Sequence, residues 1–248
     1  MQNIDTLRLD QALVTRGLVA TRTEAQELID KGLVCVNNEV CTKQIRKISG
    51  TDILEVKGRR TYVSRGGEKL IGALIHVYSS KENSIQHLKG KIALDVGSST
   101  GGFTDCLLQN GVRHVDAVDV GTAQAHISLL SDNRVSLFEN TDIRFFRTDK
   151  EYDIIVADLS FISLQGIIDT IKELSNKNTE CFLLIKPQFE VGKGNTKKGI
   201  VKDIDLVKRA LSSLEEKCLS IGAKNIQMFP CIIQGGDGNQ EYFVYFSY

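Results

Sequence analysis

The spacing of apolar positions along the chain changes near residue 60. Before it, apolar residues recur at helical intervals around residues 7–13 and again between Thr21 and Gly32, and a short strand-like stretch covers residues 53–56. Thr21 and Glu24 have the spacing of a capping box, which marks the start of the second helix. The apolar run that begins at Leu33 predicts another short strand, so this part of the chain is predicted to be a small helix–helix–strand module.

After residue 60, strand-like and helix-like segments alternate. The break at residues 57–60 is basic, and it precedes an amphipathic helix that begins near Leu70 and ends in the polar stretch 79–84. Strands are then predicted at 92–96, 115–120, 135–138, 153–157 and 181–185, with helices from about 101 and over 164–174. This alternation predicts an α/β fold with a parallel sheet. We therefore place a domain boundary near residue 60, which separates residues 1–60 from residues 61–248.

The end of the chain departs from this alternation. Strands at 225–233 and 242–246 are joined by a glycine-rich turn that contains Gly235 and Gly238. Such a pair predicts a hairpin. We therefore expect an antiparallel edge on an otherwise parallel sheet.

Composition narrows the class of protein. The chain has 248 residues with 31 basic and 31 acidic side chains, so any nucleic-acid binding must come from where the charges lie. The longest apolar runs are only strand-length, and no basic segment followed by an apolar core begins the chain, so we expect neither export nor membrane insertion. The six cysteines form no C-x-x-C pair, which predicts reduced thiols in a cytoplasmic protein.

A glycine-rich turn follows the first predicted strand of the second part. The segment Asp95–Phe103 lies between a strand and a helix, where glycines let a backbone approach a ligand and free N–H groups face it. A tight turn without a ligand is the ordinary alternative, since the D-x-G-x-x-x-G-G spacing is not that of a dinucleotide site. Asp119 ends the next predicted strand and can accept from the hydroxyls of a ribose. Asp142 ends the following one and fits either an adenine contact or a turn.

Four further charges lie at predicted strand ends or on the first helix. Asp158 and Lys186 follow adjacent strands at the carboxyl edge, where open α/β sheets bind their ligands, although a surface ion pair is the alternative. Glu241 begins the last strand, and Lys69 follows the segment Ser64–Gly67. The four histidines are scattered, so we expect no metal site and no Ser–His or Cys–His chemistry.

Five motifs in this order resemble the hemolysin A (TlyA) family of rRNA 2′-O-methyltransferases, which belongs to the FtsJ superfamily and uses S-adenosylmethionine. They are Tyr62–Leu70, Leu94–Asp105, Asp158–Ser163, Ile185–Gly192 and Gly238–Glu241. The N-terminal segments Arg8–Leu13, Thr21–Ala25 and Gly32–Asn37 are similar to the RNA-binding domain first seen in the fourth small-subunit ribosomal protein. The resemblance covers nearly the whole chain and implies a small α+β RNA-binding domain followed by a Rossmann-like methyltransferase sheet, mostly parallel with one antiparallel strand near the C-terminus.

The resemblance also assigns site residues. The superfamily's catalytic Lys-Asp-Lys-Glu tetrad falls on Lys69, Asp158, Lys186 and Glu241. It implies that Lys186 orients and helps deprotonate a ribose 2′-hydroxyl, which then attacks the sulfonium methyl. Residues implied to bind S-adenosylmethionine are Asp95, Gly97, Ser98, Ser99, Thr100, Gly101, Gly102, Phe103, Asp119, Asp142 and Asp158.

Positive charge peaks between the two parts, since residues 41–69 hold 8 basic side chains against 3 acidic ones. With the resemblance, this predicts rRNA or a ribosomal subunit as the partner. Residues expected to contact RNA are Arg8, Arg22, Lys43, Arg46, Lys47, Arg59, Arg60 and Arg65. A solvated linker face is the alternative, because runs of charge usually form one.

Two departures from the family's pattern border the expected adenosine pocket. Thr122 follows Gly121 where the family usually has a tyrosine, and Asp142 replaces its usual asparagine. The resemblance implies a cytidine of large-subunit or small-subunit rRNA as the target, and the chain's length matches the shorter members, which modify large-subunit RNA only. A non-catalytic ribosome assembly factor is one alternative function. A membrane-lysing protein is less favoured, because we find no amphipathic or apolar insertion segment.

Overall fold

The computed structural model describes residues 6–19, 21–57, 61–192 and 194–248. The chain folds into two compact units, residues 1–60 and residues 61–248. The first unit has one hydrophobic core, and the second unit has two.

The first unit is a small α+β module. Its elements are β1 (Leu7–Arg8), α1 (Leu9–Thr15), α2 (Arg22–Asp30), β2 (Val34–Val36), β3 (Glu39–Val40), β4 (Lys47–Ile48) and β5 (Leu54–Val56). Strand β2 lies between β3 and β5 in an antiparallel sheet, and β1 pairs with β4. The Thr21 hydroxyl accepts a hydrogen bond from the Glu24 N–H at 3.1 Å, as expected of an N-cap. Apolar residues of both helices, among them Leu13 and Ile29, are fully buried in the core of this unit.

The second unit is a seven-stranded sheet with helices on both faces. Its helices are α3 (Arg65–Tyr78), α4 (Lys81–Leu88), α5 (Gly102–Gln109), α6 (Ile127–Leu130), α7 (Ile168–Glu173), α8 (Pro187–Glu190) and α9 (Ile204–Ser220). Its strands are β6 (Ile92–Val96), β7 (His114–Val118), β8 (Val135–Phe138), β9 (Tyr152–Ala157), β10 (Ser175–Ile185), β11 (Lys224–Pro230) and β12 (Tyr242–Ser247). One core packs under α3 and α5, and the other packs under α7 and α9. Because both faces are covered, the central strands are mostly apolar, with buried aspartates in β6 and β7 as exceptions.

The strand order is β11-β12-β10-β9-β6-β7-β8. The strands from β10 to β8 are parallel, and β12 runs antiparallel to both of its neighbours. This confirms a mostly parallel sheet with one antiparallel strand near the C-terminus. The antiparallel pair of the last two strands lies at one end of the sheet, as the hairpin pattern predicted, with β11 outermost and β12 paired between β11 and β10. The hydrogen-bonding needs of both sides of β12 are thereby met within the sheet.

Two local expectations differ from the structure, and one helix was not expected. The polar stretch 79–84 begins helix α4, because the Ser80 hydroxyl caps it by accepting from Asn83 N–H at 3.0 Å. The helix expected over 164–174 is a 3-10 turn at Leu164–Gly166 followed by the short α7. Helix α9, capped by Asp203, is an element that the sequence patterns do not predict. Among the helices of the described residues, none has both the length and the apolar character that crossing a bilayer requires.

Candidate active site at the carboxyl edge of the sheet

The register of the parallel strands aligns the predicted site residues. Val96 pairs with both Val118 and Ala157, so the next residues of the three strands, Gly97, Asp119 and Asp158, lie side by side at one edge. On the other side of β9, the pairing of β10 with β12 ends at Ile185–Tyr242. Continuing that antiparallel register by one residue sets Lys186 opposite Glu241. The sheet itself therefore gathers residues that are up to 144 positions apart in sequence.

The glycine-rich turn after β6 needs glycine at two positions for steric reasons. Gly97 has φ +78°, and a Cβ there would lie 2.8 Å from the main-chain oxygen of Asp158. Gly102 begins α5 directly against the N-terminus of α3, where a Cβ would overlap the Ser64 hydroxyl. Larger residues would push apart the strand ends or the two helices. The glycines thus keep the turn close to Asp158 and to the helix that carries Lys69.

Asp95 does not line the site, contrary to its assignment as a cofactor ligand. Its carboxylate is fully buried beneath the turn and accepts from the Thr104 N–H at 2.9 Å and the Thr104 hydroxyl at 2.6 Å. Burial raises the pKa of Asp95 to about 7, and the negative charges of Asp158 and Asp119 add to that rise against the Thr104 hydrogen bonds. Asp95 therefore positions the start of α5.

Two adjoining clefts open at this edge. The larger has a volume of about 500 Å³ and lies over the ends of β6, β7 and β9, with Asp119, Gln124 and Ile143 among its lining residues. The smaller, of about 160 Å³, is lined by the glycine-rich turn, the start of α3 and Lys186. Asp158 and Ser160 line both. A ligand in the larger cleft would therefore be next to a second ligand that reaches Lys186.

The two acidic residues expected beside the larger cleft are held differently. Asp119 accepts from Ser99 N–H at 2.8 Å and from Gly121 N–H at 2.6 Å, which ties the turn after β6 to the end of β7. Asp142 forms an ion pair with Arg144 at 2.5 Å and caps the 3-10 turn Ile143–Phe145. Both side chains line the cleft. The contacts of Asp142 are those of a residue that stabilises a turn, which was the alternative to an adenine contact.

Lys186 and Asp158 form an ion pair at the junction of the two clefts. The Lys186 Nζ lies 2.6 Å from Asp158 Oδ1 and donates to the Ser160 hydroxyl at 2.8 Å. The two charged side chains are only 13% and 22% exposed. Both side chains are therefore mostly buried, and this pair is not the exposed surface ion pair that the sequence left open.

Lys69 and Glu241 form a second, more deeply buried pair. Lys69 Nζ lies 2.5 Å from Glu241 Oε2, and the side chains are 9% and 3% exposed. Gly235 makes room for this carboxylate, since a Cβ there would lie 2.7 Å from Glu241 Oε1. Asn239 holds the preceding turn by donating to the Gly199 carbonyl at 2.8 Å and accepting from Val201 N–H at 2.9 Å. The four tetrad residues thus form two charge-neutral pairs, Lys186–Asp158 and Lys69–Glu241.

Among the basic residues expected to contact RNA, Arg8 and Arg22 are held by the buried carboxylate of Asp10. Their side chains lie 3.0 Å and 2.8 Å from its oxygens and stay 35% and 51% exposed. Although burial opposes it, hydrogen bonds from the two arginines hold the pKa of Asp10 well below its ordinary value. Together the three side chains carry one net positive charge.

The other expected RNA contacts differ in exposure. Lys43 and Lys47 are exposed, and Arg46 is half-buried. Arg65, in the second unit, donates to the Gln234 carbonyl at 2.5 Å. Arg59 and Arg60 lie outside the described residues.

Sequence reasoning missed several residues of the clefts. Ser160 bridges both clefts, and Gln124 accepts from the Ser99 hydroxyl at 3.0 Å. Phe161 lines the larger cleft with its side chain 88% exposed, although its φ is +70°. Ser160 and Phe161 lie inside the motif Asp158–Ser163, so the motif could have pointed to them as site residues. No motif quoted from the sequence contains Gln124.

The strand order, the glycine-rich turn and the acidic residue after the second strand of the sheet define a Rossmann-like methyltransferase with a small RNA-binding-type module before it. Models of two families match the chain: FtsJ-like methyltransferase over residues 62–248 and S4 domain over residues 7–54. The chain belongs to the FtsJ-like methyltransferase family, in the group that includes hemolysin A and TlyA, and it is a methyltransferase.

The relatives cover nearly the whole chain. Hemolysin A of Brachyspira hyodysenteriae is 39% identical over 246 residues, which are 97% of this chain and 99% of that protein. The 16S/23S rRNA (cytidine-2′-O)-methyltransferase TlyA of Mycobacterium tuberculosis is 37% identical over 96% of this chain and 88% of its own length. A solved structure of a candidate hemolysin from Streptococcus thermophilus aligns with TM-score 0.72 at 33% identity, covering 99% of this chain and 89% of that one.

Proposed function

We propose that this protein transfers the methyl group of S-adenosylmethionine to the 2′-hydroxyl of a cytidine ribose in ribosomal RNA. The observation that carries the proposal is the Lys186–Asp158 pair at the junction of two clefts, one sized for a cofactor and one beside the lysine. The names of the relatives support cytidine and rRNA as substrates. The S4 domain supports an RNA partner, and we accordingly propose that the protein acts on the ribosome or its RNA in the cytoplasm.

The residues of the larger cleft fit S-adenosylmethionine. Its volume of about 500 Å³ lies within the range of small-molecule sites. Asp119 places a carboxylate at the strand end where a ribose would bind, and Ile143, Leu159 and Ile162 supply apolar surface for a flat base. When bound, S-adenosylmethionine supplies a methyl group already activated by its sulfonium.

The side chains of the smaller cleft can activate a ribose hydroxyl. Lys186 lines this cleft while its contacts with Asp158 and Ser160 fix its position. We propose that Lys186 orients the hydroxyl and accepts its proton as the oxygen attacks the methyl group, and that Asp158 stabilises the positive charge on the lysine. In the register of β10 and β12, Glu241 lies opposite Lys186, and we propose that the buried Lys69–Glu241 pair supports this centre, with Glu241 fixing a lysine or the ribose. Positioning supplies most of the rate, since effective molarities of about 10⁵–10⁸ M are available to well-oriented groups.

Mapping 2′-O-methyl groups in rRNA tests the proposal. RNA or ribosomal subunits from cells that lack the protein are incubated with purified protein and S-adenosylmethionine, and modified positions are read by reverse-transcription stops or mass spectrometry. We expect a methyl group to appear on a cytidine ribose only when both components are present. Binding of the RNA without any methyl transfer would instead indicate an assembly factor, and would contradict the proposal.

Asp119 is expected to contribute to cofactor affinity. Asp119→Ala should weaken binding of S-adenosylhomocysteine by about 10- to 100-fold, because a hydrogen bond to a charged group contributes about 1.5–3 kcal/mol. Asp119→Asn, which keeps one acceptor oxygen, should have a smaller effect. Titration calorimetry measures both, with Asp132→Ala as the control, since that carboxylate pairs with Arg134 and lines neither cleft. Undiminished affinity in Asp119→Ala would remove Asp119 from the site.

A further inference from the structure

Glu190 is a half-buried carboxylate that the proposed mechanism does not use. It ends the single turn of α8, four residues after Lys186. Its Oε2 accepts from the Ser163 hydroxyl at 2.6 Å, and its Oε1 accepts from Leu164 N–H at 2.8 Å. Both partners belong to the segment that follows Asp158. Glu190 therefore joins the segment after β10 to the segment after β9.

These two segments are bridged at both ends. Near their starts, Lys186 contacts Asp158 and Ser160. Near their ends, Glu190 holds Ser163 and Leu164, and the Ser163 hydroxyl in turn accepts from Gln165 N–H at 3.2 Å. We define residues 158–164, enclosed by these contacts, as the Asp158 segment.

The Asp158 segment contains a backbone conformation that needs external support. Phe161 has φ +70°, a region that residues with a Cβ rarely adopt, yet its side chain is 88% exposed. Its one ring contact in the described part of the chain is with Phe189, at 5.5 Å between ring centroids. Such strained residues persist where their surroundings hold them in place, and they concentrate at functional sites. The contacts that flank Phe161 on either side come from Lys186 and Glu190.

The partial burial and the hydrogen bonds of Glu190 fit a role in fixing geometry. Burial raises the pKa of this carboxyl, although the hydrogen bonds from Ser163 and Leu164 counteract part of the rise. Among the described residues, the polar partners of its carboxylate are the Ser163 hydroxyl and the Leu164 N–H. The side-chain hydrogen bonds of Glu190 therefore go to the Asp158 segment, and they can hold this segment in place.

We propose that Glu190 is a positioning residue for methyl transfer, which clamps the Asp158 segment so that Asp158 and Ser160 stay aligned with Lys186 and Phe161 stays in the larger cleft. The proposal rests on the proposed function. A small misplacement of reacting groups costs up to about 10²-fold in rate. We therefore expect Glu190→Ala to lower kcat about 10- to 100-fold, with a smaller change in KM for RNA.

The Glu190→Gln variant shows whether the hydrogen bonds of residue 190 or its negative charge matter for activity. The glutamine Oε1 can accept from Leu164 N–H, and its Nε2 can donate to the Ser163 hydroxyl. Glu190→Gln should therefore restore most of the activity that is absent in Glu190→Ala. A Gln variant as impaired as the Ala variant would overturn the clamp, because a negative charge at this position would then be what matters.

Hydrogen exchange of the Leu164 amide tests the clamp without using activity. In the full-length protein we expect Glu190→Ala to speed exchange at this amide at least tenfold, and Glu190→Gln to leave it near the wild-type rate. Asp153→Ala is the matched control, since Asp153 accepts from Ile92 N–H at 2.8 Å where β6 and β9 begin, away from the clefts. The control should change neither Leu164 exchange nor kcat.

The outcomes separate this proposal from the proposed function. Unchanged Leu164 exchange or unchanged kcat in Glu190→Ala would overturn the role of Glu190. If the wild-type protein methylates no RNA while Leu164 exchange responds as expected, the proposed function fails and Glu190 is a clamp without that catalytic role. An equal drop of kcat in Asp153→Ala would show general destabilisation, and would also overturn the proposal.

Discussion

Replacing Lys186 with alanine should lower methyl transfer by about 10²–10⁴-fold, the usual contribution of a positioned acid or base. The amine occupies the junction of the two clefts and contacts both Asp158 and Ser160. Because Lys186 is not among the residues that line the larger cleft, binding of S-adenosylhomocysteine should be nearly unchanged. Single-turnover methylation and calorimetry measure the two effects separately.

Lys186→Arg distinguishes proton transfer from positive charge. Arginine keeps the charge, but its guanidinium does not deprotonate in proteins, so it cannot take the hydroxyl proton. We expect it to be almost as inactive as the alanine variant. Lys217→Ala is the matched control, since Lys217 also forms an ion pair with an aspartate, Asp169, at 2.7 Å but lines neither cleft. Near-normal turnover of either Lys186 variant would rule out its role as the base.

Removing residues 1–60 should leave cofactor binding intact and weaken RNA binding strongly. Residues 61–248 form a compact unit with cores of their own, so S-adenosylhomocysteine should still bind. The first unit exposes Lys43 and Lys47, and it holds Arg8 and Arg22 on Asp10. Phosphate contacts from such residues place RNA without reading its sequence.

Salt dependence measures this contribution directly. For every RNA phosphate that the protein no longer neutralises, the slope of log affinity against log salt concentration should fall by roughly 0.7–0.9. The full-length double variant Lys43→Ala/Lys47→Ala should show part of the same change in slope. Because it keeps the whole chain, this variant tests the same idea even if the truncated protein misfolds. Equal affinity and equal salt slope for the truncated and full-length proteins would mean that the first unit does not anchor the RNA, and that its basic residues form a solvated face.

The elements with strong periodicity are predictable, and the exceptions have identifiable causes. Helix α9 is not evident in the sequence because its buried residues, such as Leu214 and Cys218, are sparse among exposed polar ones. The polar start of α4 resembles a loop because its helix depends on the Ser80 cap and on buried Leu88. The insertion of β12 beside β10 cannot be predicted from a hairpin pattern, since either strand of a hairpin can pair with the sheet.

The sequence by itself determined that the chain has an α/β sheet with a glycine-rich turn, and it identified the four charges of the tetrad through motifs that resemble a known family. Local periodicity and the short contacts around a turn are encoded by neighbouring residues, so they are readable without a structure. Only the tertiary structure decided that the tetrad forms two ion pairs, that Asp95 lies beneath the turn and that Glu190 joins two segments. These facts depend on strand order, register and burial, which arise from contacts between residues far apart in the chain.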